Sequence, residues 1–270
     1  MAKIIGIITT VTLVALGFWF SAEPWVNSAI KFADWRIWIV PALLMVLTGS
    51  LVSLAYMLLP QKRLKLLLAA LIGGAFLVVF GFWYLDLLAF FMILLFHLFA
   101  IRNIQFETQE RLKIHVGQVI KRGIGAVMIP LYIALSFAYF SSPSIQVRAQ
   151  NADLAPNLKQ VVSEVVNKFL AKELNQASPE EREAASSYAI ERTYNYFVSY
   201  FSPYRNYFPP VLAFGLFLIL VGLGFILHRL STWLGMGIFS LLKASNFVII
   251  EKREITAESI ALWPQTTTKP

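Results

Sequence analysis

Six apolar runs occupy most of this chain: Ile4–Phe20, Trp38–Leu59, Leu64–Phe82, Leu85–Ile101, Ile124–Phe140 and Val211–Leu227. Each reaches or approaches the roughly 20 residues that a helix needs to cross the hydrocarbon layer of a bilayer. No water is present at that depth, so only a backbone that satisfies its own N–H and C=O groups is stable there, and a helix does so. The runs predict an all-α fold, a polytopic transmembrane helical bundle of six spans. Only 14% of the residues are charged, against about 25% in an ordinary soluble domain, which fits a chain solvated largely by lipid.

The formal net charge is +8, and its placement argues for topology rather than for nucleic acid. Lys62, Arg63 and Lys65 share one short connection. Arg111, Lys113, Lys121 and Arg122 share another, and Lys252 and Arg253 lie in the tail. No groove of interleaved basic and aromatic residues is evident. Juxtamembrane cations read as attraction to anionic head groups at the cytoplasmic face. Basic residues stay inside, so the N-terminus, the turn after the second span, the segment Arg102–Arg122 and the tail are all assigned to the cytoplasm, with both termini inside. The connection after the first span balances Lys31 with Glu23 and Asp34, and Trp83–Asp86 carries no Lys or Arg. Inverting the chain breaks the rule at two loops. Trp19, Trp25, Trp35, Trp38, Trp83 and Tyr84 gather on the outer side, where amphipathic rings favour the interface. The first run follows Met1, Ala2 and Lys3 and leaves through Ser21–Pro24 without a convincing cleavage site, so an uncleaved signal anchor is expected. Short loops and compact size suggest the cytoplasmic membrane of a prokaryote.

The chain divides accordingly. Residues 1–140 form a five-span bundle with a basic cytoplasmic loop at 102–122. Residues 141–210 form an extracytoplasmic helical hairpin, 211–229 the sixth span, 230–246 an interfacial or re-entrant helix, and 247–270 a short cytoplasmic tail. The hairpin has two helices. In the first, Leu158, Val161, Val162, Val165, Phe169, Leu170 and Leu174 recur at helical spacing after Pro156. The second opens on Ser178-Pro179-Glu180-Glu181, an N-cap, a first-turn proline and a capping-box glutamate, and continues with the stripe Ile190, Tyr194, Phe197, Phe201. A two-helix core is thin, so this hairpin is expected to rest on the spans or to pair through 156–201 with an envelope protein or a second copy. Leu230–Leu242 is too short to cross, and Gly235 and Gly237 weaken it as a rigid helix. Phe247–Ile250 has strand character. Pro130 is expected to kink the fifth span, because it lacks an N–H and crowds the preceding turn.

Chemistry is sparse. With no cysteine, thiolate nucleophiles and Cys-based metal sites are excluded. His97, His115 and His228 fall on different elements, so no metal and no cofactor is expected. Ser50, Ser53 and Ser136 have no evident Asp or His companion. Gly73 and Gly74 lie inside a span; with Gly49–Ser53, Ala69–Gly73 and Ala70–Gly74 they follow the small-xxx-small spacing that lets helices approach. Gly222 is a further packing or helix-breaking candidate. Two polar residues stand out as functional candidates, because an ionisable group at bilayer depth is costly: Asp86, whose plainer role is capping the fourth helix, and His97, whose plainer role is contact with water or Arg102 near the inner boundary.

The reading these features favour is a non-enzymatic membrane scaffold or interaction protein of a cell envelope. The alternative is a transporter or channel for an apolar or lipid-like substrate, because charged pore lining is missing while Pro41, Pro130 and Gly222–Gly224 are able to break helices. An enzyme would need Asp86, Glu23 and Asp34 to converge, and the balance leans away from one. A sensor acting through a partner is a further possibility.

Overall fold

The computed structural model describes residues 1–27, 35–109, 115–151, 158–173 and 178–249. They form nine α-helices and a short 3-10 segment: α1 Ala2–Asn27, α2 Trp35–Leu58, α3 Lys62–Phe80, α4 Tyr84–Gln109, α5 Val116–Ser141, α6 Pro143–Asn151, α7 Leu158–Glu173, α8 Pro179–Phe201, the 3-10 segment Ser202–Tyr207 and α9 Phe208–Ala244. Among the described residues, α1 to α5 and α9 are the six helices long and apolar enough to cross a membrane. Each covers one of the six apolar runs, except that the second run ends one residue past α2 and the third two residues past α3.

The centre of the bundle is α5, packed against α4 on one side and α9 on the other, with α2 completing the wall and α1 and α3 closing the far side. Small residues bring these helices together. A Cβ on Gly123 of α5 would lie 2.5 Å from the Ile104 side chain of α4, and one on Gly73 of α3 would lie 2.7 Å from Phe90. One on Gly49 of α2 would lie 2.8 Å from Met128. The Gly49–Ser53 and Ala69–Gly73 pairs therefore mark packed faces. At Gly74 and Gly222 a Cβ would meet nothing within 4 Å, so those two are not close-approach sites. The Trp19 indole N–H donates across helices to the Ile72 carbonyl at 3.2 Å.

Tyr84, Phe140 and Pro210 line one cavity and so mark a common level at one end of α4, α5 and α9. Counted inward from there, the first Lys or Arg in each helix is Arg102, Arg122 and Arg229. These lie about 18 residues along, roughly 27 Å of helix. That is close to the hydrocarbon thickness of about 30 Å, so the three helices share one apolar band between an aromatic end and a basic end.

Several sequence expectations change. The first helix does not stop at Phe20; it runs through Pro24 to Asn27. The chain does not break after Arg229 into a separate 230–246 helix. α9 is continuous for 37 residues, about 55 Å. Its second half stays helical because it is packed. Gly235 faces Ile120 and Ser50, and Met236 seats against Gly117. The fully buried Ser231 hydroxyl donates to the Val46 carbonyl at 3.1 Å. The Ser50 hydroxyl lies 2.7 Å from the Val46 carbonyl and 2.8 Å from the Ser231 carbonyl, sharing one proton between them. α5 continues as helix through Pro130, which is buried. A strand at Phe247–Ile250 is not formed over 247–249, where the chain bends; Ile250 and the rest of the tail lie outside the described residues. So do Lys31 and Asp34, Arg111 and Lys113, and Leu174–Ala177.

Candidate functional site

Local sequence builds the hairpin of α7 and α8. The Ser178 backbone N–H donates to Glu181 Oε2 at 2.9 Å, and the Glu181 N–H donates back to Ser178 Oγ at 3.3 Å. This reciprocal pair satisfies two donors that a helix start otherwise leaves open. The same bonds hold the Glu181 carboxyl below the ordinary glutamate range, the Ser178 N–H first and its hydroxyl second. Residues in α7 and α8 meet through small and polar groups, and the Ser186 hydroxyl donates to Asn167 Oδ1 at 2.5 Å. Val162 is buried, while Ala185, Ala189 and Ile190 are partly covered.

The larger apolar side chains lie elsewhere. Phe169 is 75% exposed and Tyr196 69%, with Val165, Tyr188, Tyr204 and Tyr207 also exposed. The expected α7 stripe is therefore split. Val162 is buried, whereas Val165 and Phe169 are exposed. Tyr188, Arg192, Tyr196 and Tyr200 follow one another at intervals of four along α8. The Arg192 guanidinium sits over the Tyr188 ring at 5.9 Å and hydrogen-bonds its hydroxyl, and Tyr196 stacks on Tyr200 at 6.4 Å. α7 and α8 pack on each other and α8 runs on into the 3-10 segment; among the described residues neither packs appreciably on a membrane-length helix. Of the two expected placements, packing on the spans or pairing with another chain, the first is not seen among the described residues.

Inside the bundle, His97 is fully buried rather than water-facing. Its Nδ1 shares a hydrogen bond with the Tyr56 hydroxyl, the direction set by the imidazole tautomer, and the two rings meet edge-on at 5.6 Å. This ties α2 to α4, and no sequence signal linked Tyr56 to His97. Arg102 is not its partner. Asp86 is 2% exposed and accepts the Trp83 backbone N–H, the capping role expected of it. Asp86 and His97 lie 11 residues apart on α4, about 16 Å, and do not converge. Glu23 binds the Asn27 amide at 2.5 Å and Asp34 lies outside the described residues, so the three carboxylates form no site among the described residues. Glu107, fully buried, pairs with the half-exposed Arg122 at 2.5 Å, an ion pair that the sequence did not suggest. The described residues contain no cluster of three or more His, Asp or Glu able to hold a metal.

Two apolar cavities are large. One of about 560 Å³ lies between α4, α5 and α9 at the aromatic end. Another of about 520 Å³ lies between α1, α2 and α9 at the basic end. A third, of about 70 Å³, lies beside Pro41. Asp86, His97, Pro130 and Gly222 line none of the three, so the polar candidates do not surround a common chamber. No family model matches the chain, and no curated protein or solved structure matches it.

Proposed function

We propose that the protein is a non-enzymatic scaffold of a prokaryotic cytoplasmic membrane, with both termini in the cytoplasm and the α7–α8 hairpin outside as its interaction surface. The observation that carries this reading is the exposure of Val165, Phe169, Tyr188 and Tyr196 on a hairpin that, among the described residues, the bundle does not cover. Apolar and aromatic side chains of this kind are enriched at protein interfaces, where rings bury large area at little entropic cost. Inside the bundle, by contrast, Tyr56 with His97, Ser50 with Ser231 and Glu107 with Arg122 join helix to helix. The partner is a second copy of the chain or another envelope protein.

Two measurements test the reading. The chain lacks cysteine, so single Ser178→Cys and Arg63→Cys variants report topology without background. Ser178→Cys is expected to react with an impermeant maleimide on intact cells and Arg63→Cys only after lysis; the reverse pattern overturns the assigned orientation. Photoreactive residues at Phe169 and Tyr196 are expected to give a discrete protein adduct in cells, lost when the other position is changed to Glu. Adducts to lipid alone overturn the scaffold reading.

The transport alternative draws support from the two large apolar cavities, which suit a lipid-like substrate. Reconstituted vesicles that move a labelled phospholipid between leaflets faster than protein-free vesicles would favour it.

A further inference from the structure

We infer that the groove at the basic end is a binding site for one acyl chain of an anionic phospholipid. This goes beyond the scaffold reading and does not depend on the hairpin. The groove lies between the first turns of α1, the last two turns of α2 and the end of α9, with Gly6, Thr10, Leu54, Leu58, Leu242 and Phe247 among its walls. Its volume of about 520 Å³ falls within the range of small-molecule sites. Ile5 and Leu241, the neighbours in sequence of the wall residues Gly6 and Leu242, are exposed apolar side chains, so the helices that form the groove present a surface that lipid tails can wet.

The chemistry of the walls selects among occupants. A peptide segment entering here would bring backbone N–H and C=O groups into an apolar groove that has almost nothing to pair with them, at several kcal/mol for each group left unsatisfied. An acyl chain brings no such groups. Charge then selects among lipids. Lys3 stands at the mouth with its ammonium 4.7 Å from the Phe247 ring centroid. Lys62 and Arg63 open α3 just past Leu58, and Lys243 follows Leu242. Among the described residues of the helices that form the groove mouth no acid balances them: α2, α3 and α9 contain no Asp or Glu, and Glu23, the single acid of α1, lies at the opposite end of that helix. A phosphate at the mouth supplies the missing anion while its tail fills the groove.

The full chain, delipidated in detergent and offered equal amounts of phosphatidylglycerol and phosphatidylcholine with the same acyl chains, tests this by native mass spectrometry. One retained phosphatidylglycerol per chain is expected, in preference to phosphatidylcholine. Gly6→Phe grows a ring from a position where a Cβ meets nothing within 4 Å; it is expected to abolish that retention without lowering the melting temperature in lipid-free detergent. Lys3→Gln is expected to keep a bound lipid but to reduce the preference for phosphatidylglycerol about fivefold, the effect of one cation near a membrane surface. A photoreactive residue at Gly6 should crosslink to phosphatidylglycerol, giving a readout even where Gly6→Phe fails to fold. Equal retention of the two lipids, undiminished retention in Gly6→Phe, or a crosslink from position 6 to residues 250–270 or to another protein overturns the site.

Discussion

The bundle and the hairpin are both made of helices, yet they place their large side chains oppositely. In the bundle, Trp19, Tyr56, Phe76 and Tyr132 are buried and the close approaches are made at Gly49, Gly73 and Gly123. In the hairpin, Val162 is buried while Phe169, Tyr188 and Tyr196 are exposed. Lipid does not explain the bundle's arrangement by itself, because tails solvate an apolar side chain as well as a neighbouring helix does. Association of spans must then come from tight packing and from polar pairs. The hairpin buries Val162 and partly covers Ile190 but leaves its larger rings exposed. The contrast separates a part whose large rings are buried from a part whose large rings are exposed, which is the basis of the interaction reading proposed above.

The largest expected effect falls on the bundle's closest contact. Gly123→Leu drives a branched side chain into Ile104, whose own branching leaves little freedom to retreat. Overpacking of this kind costs about 1–3 kcal/mol and at times more, so the detergent-purified variant should melt well below the parent or fail to assemble. Gly74→Leu, at a position where a Cβ meets nothing within 4 Å, should melt as the parent does. Equal behaviour of the two variants would show that the α4–α5 seam is looser than the geometry indicates.

The polar tie of α2 to α4 ranks next. Tyr56→Phe removes the hydroxyl from His97 and should cost about 1 kcal/mol, the usual scale of one interhelical hydrogen bond in a membrane protein. His97→Phe in the Tyr56→Phe background should recover part of the loss, because replacing both partners leaves no polar group without company. Additive losses across the double-mutant cycle would mean that the two side chains do not interact.

What could be read from the chain alone follows from which interactions are local. The six spans are legible because each needs only its own apolar length, and the Ser178–Glu181 cap because its partners are three residues apart. Tyr56 and His97 are 41 residues apart and meet only when α2 packs on α4. The continuity of α9 was hidden for the same reason. His228–Arg229 and the glycines that follow resemble a helix end until Ile120, Ser50 and Val46 are brought against them. The α7 stripe misled in a different way, since periodicity marks an apolar face without saying whether anything covers it. Val165 and Phe169 keep helical spacing with Val162 and still lie outside.

On the hairpin, substitution should barely move stability. Phe169→Ser and Tyr196→Ser remove side chains that are already exposed, and surface changes of this sort usually stay within about 0.5 kcal/mol. Unchanged melting together with loss of a discrete complex on native gels is the expected outcome. A large fall in melting temperature would instead mean that these rings pack within the chain.

The smallest effect is acid fraying at the start of α8, and its sign follows from the cap. Glu181 titrates below its ordinary value of 4.5 because its carboxylate accepts from the Ser178 N–H and hydroxyl. A carboxyl whose folded value is depressed contributes stability that is fully present above the unfolded value and lost as pH falls through the folded one. Helix α8 should therefore hold its first turn at neutral pH and release it as pH drops below about 4.5. Amide exchange at Glu181 and its neighbours reads this directly, and Glu181→Gln should abolish most of the pH dependence because glutamine still accepts from the serine but does not titrate. Exchange that speeds up equally in Glu181→Gln over the same range would place the acid sensitivity in other groups. Because the carboxyl is wholly in solvent, the change should remain confined to the cap and leave the bundle's melting unaltered, the reverse of what Gly123→Leu does.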